Sequence, residues 1–199
     1  LSMLKIIGII PARYSSSRFP GKPLVDIFGK SMIQRVYEQS KKAHTLTDVI
    51  VATDDERIEK FVLGFGGKVT MTSSAHKTGT DRCAEVVENE FPDYDATINI
   101  QGDEPFIHPE QIDELAKCFE DKEVNLATLI KKIDSTGDIF NQNRIKVVVD
   151  KNMDALFFSR SPIPFNRSSE NSDWLDSHVY YKHIGIYGYR VSALKKITR

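Results

Sequence analysis

Cysteine is almost missing from this sequence: Cys83 and Cys118 are the only two in 199 residues, and they do not form a CxxC pair. That leaves room for one disulfide at most and favours a reduced, cytosolic chain. Long apolar runs are missing too. No stretch approaches the ~18 consecutive apolar residues of a membrane span, and the N-terminus lacks the apolar run and small-residue cleavage site of a secretory signal. Leu1 and Ser2 precede Met3, where a native chain is expected to begin. Neither sign of charge is in excess, with 27 Lys+Arg against 28 Asp+Glu and a formal net charge of −1. Wholesale nucleic-acid binding, which needs a basic footprint, is thereby disfavoured, although a local cationic cluster for a small anion is not. The five histidines show no metal-ligand spacing. Neither a GxSxG nor a Cys–His arrangement supports covalent catalysis.

The remaining composition is that of an ordinary globular protein, with 40% hydrophobic and 28% charged residues. A chain of this length folds to a radius of gyration of about 16 Å and buries roughly 70% of its unfolded surface, enough for a full core. Residues 5–10 (KIIGII) form a short apolar run that suits a strand buried on both faces. A polar loop, 11–23, follows. Ser31 is a candidate N-cap for a helix that buries Ile33, Val36 and Tyr37. Residues 48–53 read as the second strand. Ile58, Phe61, Val62 and Phe65 then mark a helix that Gly66-Gly67 stops. A third strand at 68–72, a helix over 80–90 and a fourth strand at 96–101 come next. Pro109 opens a helix with Ile112, Leu115, Ala116 and Phe119 inward, and 125–130 is a fifth strand. This alternation predicts right-handed βαβ units and an open, mostly parallel sheet. After Ile133 the rhythm changes. Strands at 144–150, 155–159 and 179–190 have no long helices between them, which predicts a small mixed-strand extension. No internal repeat or long linker divides the chain.

The loop from Pro11 to Pro23 (PARYSSSRFPGKP) is the loudest chemical feature. It follows the first strand, on the sheet edge where open α/β folds place ligands. Arg13, Arg18 and Lys22 share it with three serines, and Gly21 permits close backbone approach. Cations of this kind suit a triphosphate, unless the loop is simply a solvated basic segment. It is neither a Walker P-loop nor a GxGxxG turn, because Pro23 follows Lys22 and position 16 is not glycine. Gln101-Gly102-Asp103-Glu104-Pro105 ends the fourth strand on the same edge. Asp103 could bind a hard cation there or cap the next helix. A cationic and an anionic site on one edge together suggest a cradle for a metal–nucleotide complex. Gly79-Thr80-Asp81-Arg82 opens a helix, with Thr80 or Asp81 as its cap or as ligand contacts. His183 and Tyr187, at i and i+4 in a strand, share a face that either packs or lines a pocket.

Five segments, IIPARYSSSRFPGKPL, GTDR, INIQGDEP, FSRSPIPF and HIGIYGYR, resemble in order and spacing the 3-deoxy-D-manno-octulosonate cytidylyltransferase (CMP-KDO synthetase) family. The resemblance covers residues 5–190. It implies a Rossmann-like nucleotidyltransferase fold in one domain, 1–199, whose 134–190 segment serves sugar binding and dimerisation. It also implies a bacterial, cytoplasmic, Mg²⁺-dependent homodimer that neither binds nucleic acid nor inserts in membranes. Its reaction joins CMP from CTP to 3-deoxy-D-manno-octulosonate, releasing pyrophosphate, for lipopolysaccharide assembly.

By motif, Arg13, Ser16 and Lys22 are expected at the nucleotide and its phosphates, with Arg82 and Gln101 also on the nucleotide. Asp103 is the expected metal ligand. Gln101, Arg160, His183 and Tyr187 are expected around the sugar acid. Asp81 replaces the family's usual glutamate. The family continues with a Glu- and Leu-rich segment and a later metal-binding aspartate, neither of which occurs up to Arg199, so the molecule is expected to extend further. Rival readings are a cytidylyltransferase for another sugar acid of the N-acylneuraminate type, a nucleotide-binding module without turnover, and a structural protein without nucleotide affinity.

Overall fold

A computed structural model of the chain describes residues 4–15 and 19–198. It separates into two compact units, Leu1–Ala127 with Ile186–Arg199, and Thr128–Gly185. In the first, the chain runs through β1 (Ile6–Ala12), the short hairpin arms β2 (Asp26–Ile27) and β3 (Lys30–Ser31), and α1 (Met32–Ser40). It continues through β4 (Asp48–Thr53), α2 (Glu56–Gly64), β5 (Val69–Met71), α3 (Gly79–Glu90), β6 (Ala96–Asn99) and α4 (Pro109–Lys117). Strand β7 (Leu126–Lys132) leads into the second unit, which holds α5 (Thr136–Phe140), β8 (Lys146–Val149), β9 (Ala155–Ser159) and α6 (Trp174–Ser177). Strand β10 (Tyr181–Arg190) leads back, and α7 (Val191–Ile197) ends the first unit.

Strands of the first unit lie in the order β5-β4-β1-β6, all parallel, and the last residues of β10 add antiparallel to β6. The run Ile6-Ile7-Gly8-Ile9-Ile10 is buried on both faces because helices cover both. Ile7 and Ile9 pack with Ile50, Cys83, Val87, Tyr189 and Leu194 under α3 and α7. Ile10 and Ile33 of α1 approach Gly102 together on the opposite face. Burying each such side chain contributes about 1.5–3 kcal/mol. This is the open, mostly parallel α/β sheet that the alternation predicted.

Local signals set the element ends. Ser31 caps α1, its hydroxyl accepting from the Gln34 N–H at 3.2 Å. The cap of α3 is Thr78, ahead of the expected Thr80 or Asp81, because Thr78 and Asp81 close a reciprocal capping box. Strand β1 runs through Pro11 to Ala12, so the loop begins later than its proline suggests; at a strand's end the missing N–H costs little. The β2–β3 hairpin has no sequence signal. Its turn, Phe28 and Gly29, lies at positive φ (51° and 80°), held by Arg35 donating to the Ile27 and Phe28 carbonyls.

In the second unit β8 pairs antiparallel with β9 and with the start of β10. Its core is aromatic: buried Trp174 stacks on Tyr180 at 5.9 Å, with Ile133 and Ile139 against them. Lys146 is fully buried, and its ammonium donates to the carbonyls of Asn141 (2.9 Å), Arg144 (2.6 Å) and Arg160 (2.7 Å). Burial lowers its pKa, and the nearby Arg160 charge lowers it further. Lys146→Met should leave these carbonyls without a donor and cost about 1–3 kcal/mol, read as a lower urea midpoint. Among the described residues, no helix is long and apolar enough to cross a membrane.

Candidate functional site

Three segments of the first unit converge at the carboxyl edge of its parallel strands. Beyond β1 come Arg13 and Tyr14, and after a loop Gly21 and Lys22. Beyond β6 come Gln101, Gly102 and Asp103. The third segment is the start of α3, Lys77 to Thr80. A cavity of about 340 Å³ lies among them, lined by Pro11, Arg13, Lys77, Thr78, Gly79, Thr80, Asn99, Gln101 and Tyr187. That volume is at the lower end for small-ligand sites.

Charge is arranged in a definite way around this edge. Lys22 and Asp103 meet at 2.5 Å between Nζ and Oδ2, although 81 positions separate them in sequence. Both remain partly exposed, at 36% and 51%. Glu104 is half-buried, and burial together with the neighbouring Asp103 charge raises its pKa. Asp81 is held below the usual carboxylate range, first by the Thr78 hydroxyl, with smaller contributions from His76 and Arg13. Arg13 therefore faces the start of α3, where the free N–H groups of a helix's first turn favour anions.

The cavity floor is polar. Asn99 is 4% exposed, and its Oδ1 has no hydrogen-bond partner among the described residues; the same holds for Thr97 Oγ1, on the same face of β6. Burial raises the pKa of Tyr187 and of Tyr189, with the Thr80 side chain lowering that of Tyr189 by a smaller amount. Sequence reasoning missed Lys77 and Asn99. Their only signals were a polar residue in an otherwise buried strand (INIQ) and a cation directly before a Thr-x-x-Asp cap.

Of the expected site residues, Arg13, Gln101 and Tyr187 share the cavity wall, and Lys22 pairs with Asp103. Ser16 lies outside the described residues. Arg82 does not reach the wall. It is fully buried, donates to the Thr72 hydroxyl and lies 3.1 Å from the Asp54 carboxylate. Its Nε has no partner among the described residues. At that position α3 carries the side chain into the core. Arg160 and His183 belong to the second unit. Arg160 donates to the Gln142 carbonyl at 3.0 Å. His183 Nε2 lies 2.9 Å from the Thr128 hydroxyl, beside the Phe158 ring, and burial lowers its pKa.

Among the described residues no three His, Cys, Asp or Glu side chains gather to make a metal cage. A lone, accessible carboxylate such as Asp103 nevertheless suits a hard divalent cation that takes its other oxygens from phosphates and water.

Comparison with known proteins agrees with the motifs. A family described as cytidylyltransferase matches residues 7–199. The 3-deoxy-manno-octulosonate cytidylyltransferase of Parabacteroides distasonis is 56% identical over 201 residues, covering 99% of this chain and 79% of that protein. Its counterpart in Bacteroides thetaiotaomicron is 55% identical over 200 residues, covering 98% and 78%. A solved structure, of CMP:2-keto-3-deoxy-manno-octonic acid synthetase complexed with CTP, superposes with a TM-score of 0.89. It is 45% identical in sequence, and the match covers 98% of this chain and 77% of that one.

Proposed function

The chain belongs to the cytidylyltransferase family, among the 3-deoxy-manno-octulosonate cytidylyltransferases, and from that membership we propose that it transfers CMP from CTP to 3-deoxy-D-manno-octulosonate. The anomeric hydroxyl of the sugar attacks the α-phosphorus, and pyrophosphate leaves; the product enters lipopolysaccharide synthesis. The observation that carries this reading is the meeting of Lys22 and Asp103 at the strand edge, beside a cavity that Arg13 lines.

Phosphoryl transfer asks a protein mainly for positioning and charge neutralisation. Arg13 and Lys22 hold the triphosphate, Arg13 as a planar fork and Lys22 as a point charge. Ser16 and Gln101 contact the nucleotide. Arg82, from within the core, supports the Asp54 and Thr72 side of the site. By the family motifs, Gln101 and Tyr187 of the first unit serve the sugar acid, and Arg160 and His183 of the second are assigned to the same substrate. His183, kept neutral by burial, offers it hydrogen bonds without charge, and Arg160 pairs with its carboxylate. Asp103 holds Mg²⁺, which supplies charge neutralisation to the phosphates when bound.

A homodimer fits the second unit. Strand β9 is an edge strand that exposes Leu156, Phe157 and Phe158, a surface that monomers normally avoid. Leu156→Lys with Phe157→Asp should shift the protein to monomer in sedimentation velocity; an unchanged coefficient would remove β9 from the interface. The bacterial cytoplasm is the proposed setting.

A coupled pyrophosphate assay with Mg²⁺, CTP and the eight-carbon acid tests the function. Release should be robust with this acid and weak with N-acylneuraminate. The reverse preference would reassign the substrate, and CTP binding without release with either acid would make the chain a binding module.

A further inference from the structure

The loop that carries Arg13 and Lys22 must hold two cations near one polyphosphate, although like charges repel and ordering a loop costs entropy. Tyr14, next to Arg13, ties the loop from inside. Its carbonyl accepts from the Gly21 N–H at 2.8 Å, and its ring atoms lie 3.2 Å from where a Cβ on Gly21 would stand. Arg57, in the first turn of α2, ties it from outside. The Arg57 guanidinium carbon sits 3.3 Å from the centroid of the Tyr14 ring. Asp55 aims that guanidinium: it caps α2 and accepts from Arg57 Nε at 2.9 Å and Nη2 at 2.6 Å.

We propose that Arg57 is a positioning residue for the phosphate-binding loop, fixing Gly21 and hence Lys22 relative to Arg13 through its stack on Tyr14. The proposal rests on the reading of Arg13 and Lys22 as phosphate contacts. Arg57 does not line the cavity, and its side chain is 58% exposed. Its contribution is preorganisation: a loop already in its bound shape spends less of the binding energy on ordering.

Calorimetric titration with Mg–CTP, and separately with Mg–pyrophosphate, tests this. Arg57→Ala should weaken both about two- to fivefold, the range of an exposed cation–π contact, while KM for the sugar acid stays unchanged. Arg57→Lys should recover part of the loss. Tyr14→Leu keeps every cation and should show the same loss, with no further loss in the double variant. Lys60→Ala is the charge control, since it removes one exposed cation from the same helix without touching Tyr14. Equal weakening in Lys60→Ala would make the effect one of long-range charge and overturn the proposal, as would unchanged affinity in Arg57→Ala. A parent chain that binds neither probe would overturn the phosphate reading of the loop, and this inference with it.

Discussion

Lys22→Ala and Asp103→Asn are each expected to lower pyrophosphate release by about 10²–10³-fold, the usual loss when one aligned charge contact to a reacting group is removed. The two losses should differ in kind. On the proposed reading Lys22 would meet the phosphates in the ground state as well, so its removal should also raise KM for CTP. Asp103→Asn should instead raise the Mg²⁺ concentration needed for half-maximal rate. Neither variant should unfold the protein. The pair is 36% and 51% exposed, and ion pairs so placed contribute roughly 0–1 kcal/mol. Melting temperatures within a few degrees of the parent, together with the large rate losses, would assign both residues to chemistry. Turnover within threefold of the parent in both variants would refute the site.

The features of this site differ in how far sequence could reveal them. The strand β1 was legible because a parallel strand covered on both faces must be apolar throughout, and Ile6 to Ile10 is. The cation loop was legible because it leaves that strand, with Arg13 directly after Ala12 and Lys22 later in the same segment. The meeting of Lys22 with Asp103 followed from topology: β1 and β6 are parallel neighbours, so their carboxyl ends share an edge. Arg82 shows the limit. One helical turn separates a side chain that faces a ligand from one that faces the core, and a charged residue gives no periodic sign of which it is. Here Thr72 and Asp54, from two other strand ends, draw it inward. Asn99 was hard to read for another reason: Thr97 and Asn99 alternate with Ala96, Ile98 and Ile100, the pattern of a strand with one wet face, although β6 is buried on both. The β2–β3 hairpin escaped because two-residue arms have no period to read, and its left-handed Phe28 is a residue that rarely signals such a turn.

Gly102→Ala, one methyl group, is expected to cost almost as much activity as losing a charge. A Cβ at Gly102 would stand 2.9 Å from the Pro11 carbonyl oxygen, with Ile10 at 3.6 Å and Ile33 at 3.9 Å behind it. The nearest obstacle is backbone, so no side chain can swing aside. Either the end of β1 or the turn after β6 must move. The first carries Arg13 and the second carries Gln101 and Asp103, so relief of the clash separates the cations from the acid. Displacements near 1 Å at such sites lower rates about 10²-fold, and overpacking costs about 1–3 kcal/mol of stability. Gly64→Ala, at the end of α2, is the matched control: nothing lies within 4 Å of its added methyl. It should leave turnover unchanged and raise stability by about 0.4–1 kcal/mol by restricting the unfolded chain. A Gly102→Ala enzyme that keeps its rate while losing stability would mean that the two strand ends move together. The contact at 2.9 Å would then support the fold without setting the spacing of the site.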